Sequence, residues 1–177
     1  MEWTFKKYLC NEFSQNGEDG IIEEVLKRLE ITKGKFVEFG AWDGKYLSNT
    51  YNLLCNKGWG GVYIEGDKDK FIDLQNLQKD HSQKLDIICS MVMPEGENSL
   101  DNLLSKTSLD KEFEVLSIDI DSDDYRVWES LTCYNPLIVI IEANSNIPPP
   151  IIHLHDGITL GNSFSALLEL GIAKGYT

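Results

Sequence analysis

The sequence predicts an α/β domain, a doubly wound parallel sheet with helices on both faces. Strand-like and helix-like segments alternate along the chain. The strand-like segments are near-continuous apolar runs, as expected of strands buried on both faces. A glycine-bearing turn, Gly40-Ala41-Trp42-Asp43-Gly44, directly follows the first of them. With 177 residues, 42% of them hydrophobic and 25% charged, the chain is large enough for one core without disulfide or metal staples and ordinary for a globular protein. A single domain over residues 1–177 is expected.

The first helix is marked by Ile21, Ile22, Val25, Leu26 and Leu29 at helical spacing, with Glu23–Lys27 and Glu24–Arg28 pairs on the opposite face. Strand-like runs follow at 35–39, 61–65, 85–89, 114–120 and 137–142. Helices are expected between them at 49–57, closed by Gly58, then at 68–79, 99–105 and 123–132. A last helix at 163–174 carries Phe164, Leu167, Leu168 and Ile172. Pro148-Pro149-Pro150 breaks the chain and reads as a loop inside the domain.

Composition removes several function classes. A net charge of −13 disfavours an open nucleic-acid face, which needs clustered Lys and Arg, and favours a neutral or small substrate. No run is long enough to span a bilayer, and residues 1–7 lack the features of a signal peptide, so the expected setting is cytoplasmic, away from membranes. Cys10, Cys55, Cys89 and Cys133 form no C-x-x-C pair; reduced thiols are expected, with Cys55 and Cys89 buried.

In a doubly wound sheet, ligands bind beyond the carboxyl ends of the strands, so the strand ends carry the candidate chemistry. A dinucleotide fingerprint starting at Gly40 would need glycines where Trp42 and Lys45 stand. A P-loop ending at Gly44-Lys45 would need Gly in place of Phe39 and Ser or Thr in place of Tyr46. Both phosphate readings fail. What remains is E-x-G-x-x-x-G, in which Glu38 suits a cationic ligand; a plain turn capped by Asp43 is the competing reading. Glu65 ends the second strand 25 residues after Gly40, where an acidic side chain can hold a ribose diol.

Several of these segments together resemble the FkbM-like family of S-adenosylmethionine-dependent methyltransferases. They are Ser14-Gln15-Asn16-Gly17-Glu18-Asp19, Val37 through Gly44 with Ser48-Asn49-Thr50, and Gly58 through Glu65. Leu116 through Asp121, Ile141 through Asn144 and Lys174-Gly175-Tyr176 continue the match in order. The resemblance implies a Rossmann-like methyltransferase fold binding S-adenosyl-L-methionine. Glu38, Gly40, Ala41 and Gly44 would lie along its methionine part and Glu65 on its ribose, with Cys89, Ser90 and Met91 near its adenine. That fold normally adds two further strands after the last helix, so the sheet is expected to lack them and the fifth strand to be an uncovered apolar edge, open to self-association.

Asp119 and Asp121 are the catalytic candidates, placed on one side of an extended segment where the methyl acceptor arrives. Family members often show D-x-E-G there, and this chain has Asp119-Ile120-Asp121-Ser122. Asp123 or Asp124 is expected to cap the next helix. Glu142 and Asn144 are expected to bind acceptor hydroxyls; an oxygen-rich Mg²⁺ site with Asp119 and Asp121 is the less favoured reading. His153 and His155 read as surface residues, with a metal-ligand or general-base role as the minor alternatives. The expected function is O-methylation of a sugar, glycan or other small-molecule hydroxyl; the competing class is a non-catalytic cofactor-binding or assembly domain on the same fold.

Overall fold

A computed structural model describes residues 4–120 and 122–177. After a 3-10 turn at Lys6–Tyr8 come helix α1 (Glu18–Arg28), strand β1 (Lys35–Phe39), α2 (Tyr51–Cys55), β2 (Gly60–Glu65) and α3 (Lys68–Asp80). They are followed by β3 (Leu85–Cys89), α4 (Leu100–Leu104), β4 (Glu112–Ile118), α5 (Asp124–Ser130), β5 (Asn135–Ile141) and α6 (Phe164–Ala173). The five strands form one parallel sheet in the order β3-β2-β1-β4-β5. The chain winds outward from β1 to β3, then returns to add β4 and β5 on the other side, so the switch point lies between β1 and β4.

Alternate residues of the central strands serve two cores. Val37, Phe39, Val62, Ile64, Leu116 and Ile118 meet α4, α5 and α6 on one face. Phe36, Tyr63 and Val115 meet Ile22 and Leu26 of α1, Leu53 and Leu54 of α2, and Leu74 and Leu77 of α3 on the other. This is the expected doubly wound arrangement.

The N-terminal Ser14–Asp19 segment is a bend that leads into α1, which starts at Glu18. Asp19 Oδ2 accepts from the N–H groups of Glu12, Phe13 and Ser14 at 3.0, 2.8 and 2.8 Å, and Ser14 Oγ accepts from Asp19 N–H at 3.0 Å. Phe13 then packs edge-on against Tyr51 of α2 at 4.6 Å between centroids.

Most elements shift from their expected bounds by a residue or two, and three of the shifts have identifiable reasons. The second helix starts at Tyr51 rather than Asn49, because residues 48–50 are tied to Glu38 of β1. β4 ends at Ile118, not 120: the Asp124 carboxylate takes the N–H of Ile120 and of Ser122 at 2.9 and 3.0 Å and turns the chain away. β5 begins at Asn135, and Pro136 is accommodated because the strand is an edge.

That edge is half covered rather than bare. Leu137 is 54% exposed, while Val139 and Ile141 pack on one core and Ile138 and Ile140 on the other. Tyr176 Oη donates to Pro136 O at 2.6 Å, pinning the segment after α6 to the start of β5. The cysteines are free thiols, but Cys55 and Cys89 are exposed, contrary to expectation: one closes a short helix, the other ends the edge strand β3. No helix among the described residues is long and apolar enough to cross a membrane.

Candidate functional site

A cleft of about 580 Å³ opens beyond the carboxyl ends of β1, β2, β3 and β4, at the switch point. Glu38, Gly40, Ala41, Glu65 and Asp119 all line it, together with Ser90 and Met91. Gly40 is required at its place. Its φ is 76°, and a Cβ there would overlap the carbonyl oxygen of Asp119, so only glycine lets the end of β1 pass the end of β4.

Glu65 is buried and joins two loops. Its Oε2 accepts from Trp42 N–H and its Oε1 from Asp67 N–H, each at 2.7 Å. A carboxylate offers about four lone-pair sites, so both oxygens retain capacity toward a ligand hydroxyl. The cradle fits the ribose role expected of it.

Glu38 is anchored more tightly. Its Oε2 accepts from Ser48 Oγ at 2.7 Å and Thr50 Oγ1 at 2.5 Å, and Oε1 accepts from Asn49 N–H at 3.1 Å. Tyr63 Oη lies beneath, 3.2 Å from Thr50 Oγ1. Burial raises the Glu38 carboxyl above its ordinary range, opposed by those three donors. Burial, then the nearby Glu38 charge, pushes the Tyr63 phenol well above its own. Glu38 thus builds the wall of the cleft by fixing residues 48–50; Ser48 and Thr50 are the site-forming residues to which sequence reading gave no role.

A raised carboxyl pKa has a defined sign. Its contribution is complete below the unfolded-state value and is lost as pH rises through the folded-state value. Glu38→Gln retains the shape without the charge. The stability of wild type relative to Glu38→Gln should therefore fall as pH rises from acid to neutral, measured by urea unfolding at several pH values. A difference that is flat with pH would mean that the carboxyl titrates as an exposed one does.

The remaining candidates do not all converge. Gly44, with φ 73°, faces away from the cleft: a Cβ there would come within 2.6 Å of Leu77 and 2.9 Å of Leu74, so this glycine seats the turn on α3. Asp119 is exposed on the cleft wall just past β4, not in an extended strand. Asp121 lies outside the described residues. Asp123 occupies the N-cap of α5 without a side-chain cap bond and pairs instead with Arg126 at 3.6 Å. Glu142 and Asn144 line a separate hollow of about 220 Å³ with Asp124 and Leu160.

Asn144 is largely a loop tie, donating from Nδ2 to Leu160 O at 2.7 Å and accepting from Asn146 N–H at 2.9 Å. Among the described residues no three His, Cys, Asp or Glu side chains converge to hold a metal ion. His153 and His155 stay inside the Pro-rich loop. His155 Nδ1 accepts from Gly161 N–H at 3.3 Å, and neither histidine lines the cleft.

No protein-family model and no curated protein matches the chain. Among solved structures, the [4+2]-cyclase SpnF superposes with a TM-score of 0.56 at 15% identity, over 95% of this chain and 62% of that one. An S-adenosylmethionine-dependent methyltransferase from Clostridium acetobutylicum ATCC 824 gives 0.42 at 13% identity, over 79% of this chain and 47% of that one. PKMT2 from Rickettsia typhi, in complex with AdoHcy, gives 0.39 at 13% identity, over 59% and 19%. The chain thus spans less than two thirds of each of these proteins. Of these three, SpnF alone superposes closely enough to bear on the fold, and at this identity it bears on nothing else. With that superposition and the strand order β3-β2-β1-β4-β5, the chain has the α/β fold of the Rossmann-like methyltransferase core.

Proposed function

We propose that this chain is an S-adenosyl-L-methionine-dependent methyltransferase of the FkbM-like kind that methylates a hydroxyl of a sugar, glycan or other small molecule. The observation that carries the reading is the cleft itself. At the switch point it joins a glycine that only glycine can be, Gly40, to a buried carboxylate with lone pairs to spare, Glu65. Ala41 continues the Gly40 turn along the cleft, where the methionine part of the cofactor would lie, and Glu65 would take the ribose hydroxyls. Bound S-adenosylmethionine would supply an electrophilic methyl group. Asp119, exposed just past β4 and separated from Glu65 by β1, would hold the acceptor hydroxyl and take its proton as the oxygen is methylated. The overall charge of −13 supports a substrate that is not a polyanion.

Calorimetry with S-adenosylhomocysteine tests the reading: saturable binding is expected, and its absence would sink it. Asp119→Asn should lower turnover by roughly 10²-fold, with S-adenosylhomocysteine affinity held within a few-fold. If activity required added Mg²⁺ and vanished with a chelator, the metal reading would replace the general-base one. The competing reading, a non-catalytic domain on the same fold, draws on SpnF, a cyclase with this architecture, since a fold does not fix its chemistry. Cofactor binding without turnover on any hydroxyl acceptor would favour it.

A further inference from the structure

One wall of the cleft, made by Trp42, Tyr46 and Lys70, has no part in that reading. Trp42 stands at φ 49°, in the left-handed region where Gly or Asn is the usual occupant. The loop does not relax it. Trp42 N–H is held by Glu65 Oε2 at 2.7 Å and Gly44 N–H by Ala41 O at 2.7 Å. Asp43 Oδ1 accepts from the N–H groups of Lys45 and Tyr46 at 2.9 and 2.8 Å. The product of all this ordering is an indole 43% exposed and a Tyr46 ring 61% exposed, set T-shaped with centroids 5.7 Å apart. Lys70 Nζ sits 4.4 Å from the indole centroid and steadies it by a cation–π contact.

Folding gains little from rings left in water. Trp59 and Trp128, at 3% and 4% exposed, show how this chain uses indole for its core. Strain kept at a residue that faces a ligand cleft points to function instead. Apart from Glu65, which the ribose takes, the same cleft offers Asp119 and Asp123, whose carboxylates can accept from hydroxyls, and the molecule's net charge of −13 repels anions. A neutral polyhydroxylated ring answers both features, with a C–H face for the aromatic wall and equatorial hydroxyls for the carboxylates.

We infer that Trp42 and Tyr46 are the stacking wall for the acceptor, and that the acceptor is the pyranose ring of a neutral saccharide; the inference rests on the methyltransferase reading above. Trp42 is then a specificity residue retained at some expense of stability.

The test pairs three variants with readouts that need no turnover. Wild type should bind neutral glycans on a printed array that also carries acidic ones. Trp42→Asn, whose side chain suits φ above zero, should melt at the same temperature as wild type or a few degrees higher. It should bind S-adenosylhomocysteine within a few-fold of wild type, yet lose roughly tenfold or more in affinity for the best array glycan. Trp42→Phe should recover most of that loss, and Tyr46→Ala should weaken the same glycan. A lower melting temperature in Trp42→Asn with glycan binding unchanged would make the ring structural and overturn the proposal. So would a wild-type array signal confined to acidic glycans, or none at all. Failure of the cofactor reading is a separate result, seen as no S-adenosylhomocysteine binding by wild type.

Discussion

Gly40→Ala should lose about 3–5 kcal/mol of folding stability, from left-handed strain plus overpacking against backbone that cannot yield. The added Cβ would meet the Asp119 carbonyl oxygen, part of the chain leaving β4, not the end of a flexible side chain. Folded domains hold only about 5–15 kcal/mol in reserve, so the effect should be plain in urea or thermal melts. Gly96→Ala separates the two causes. Gly96 has φ 82° but nothing within 4 Å of a Cβ, so it should show the strain alone. Equal losses at the two positions would mean that the close passage of β1 over β4 contributes nothing.

Glu65→Ala should act twice. It removes the acceptor for two part-buried backbone N–H groups, those of Trp42 and Asp67, at about 1–3 kcal/mol in all. It also removes charged hydrogen bonds to the ribose, for which about 1.5–3 kcal/mol, or roughly 10- to 150-fold in S-adenosylhomocysteine affinity, is expected. Thermal melting reads the first and calorimetry the second. Stability loss with unchanged affinity would reduce Glu65 to a tie between two loops.

Legibility in the sequence followed physical range. β1 and β3 appear at the bounds their apolar runs predict, because a short apolar run is a local signal whether the strand is central, as β1 is, or at an edge, as β3 is. β4 ends two residues short of its apolar run because Asp124, a carboxylate four positions beyond Ile120, captures Ile120 N–H. The glycine turn was readable as a place of close approach but not as to what approaches. Gly40 meets the backbone after β4, whereas Gly44 meets Leu74 and Leu77 of α3, and nothing in the motif distinguishes them.

The roles of Ser48 and Thr50 were hidden for the same reason. They depend on Glu38, ten and twelve residues back, and on Tyr63 from the neighbouring strand. Glu142 and Asn144 follow a strand end as predicted, yet the sheet order carries them to the outermost strand and a hollow of their own. In the sequence Trp42 stands only as an obstacle to phosphate. That an indole at this place must be turned outward follows from the backbone conformation, which the sequence does not display.

The order of the strands has a consequence for how such a molecule can change over time. The cleft draws on the loops after β1, β2, β3 and β4, while the half-covered edge belongs to β5. Insertions, fusions or new neighbours grafted at β5 would meet a ladder already one-sided and leave the ligand-facing loops in register. The sheet thus separates a flank open to additions from the end that holds the cleft.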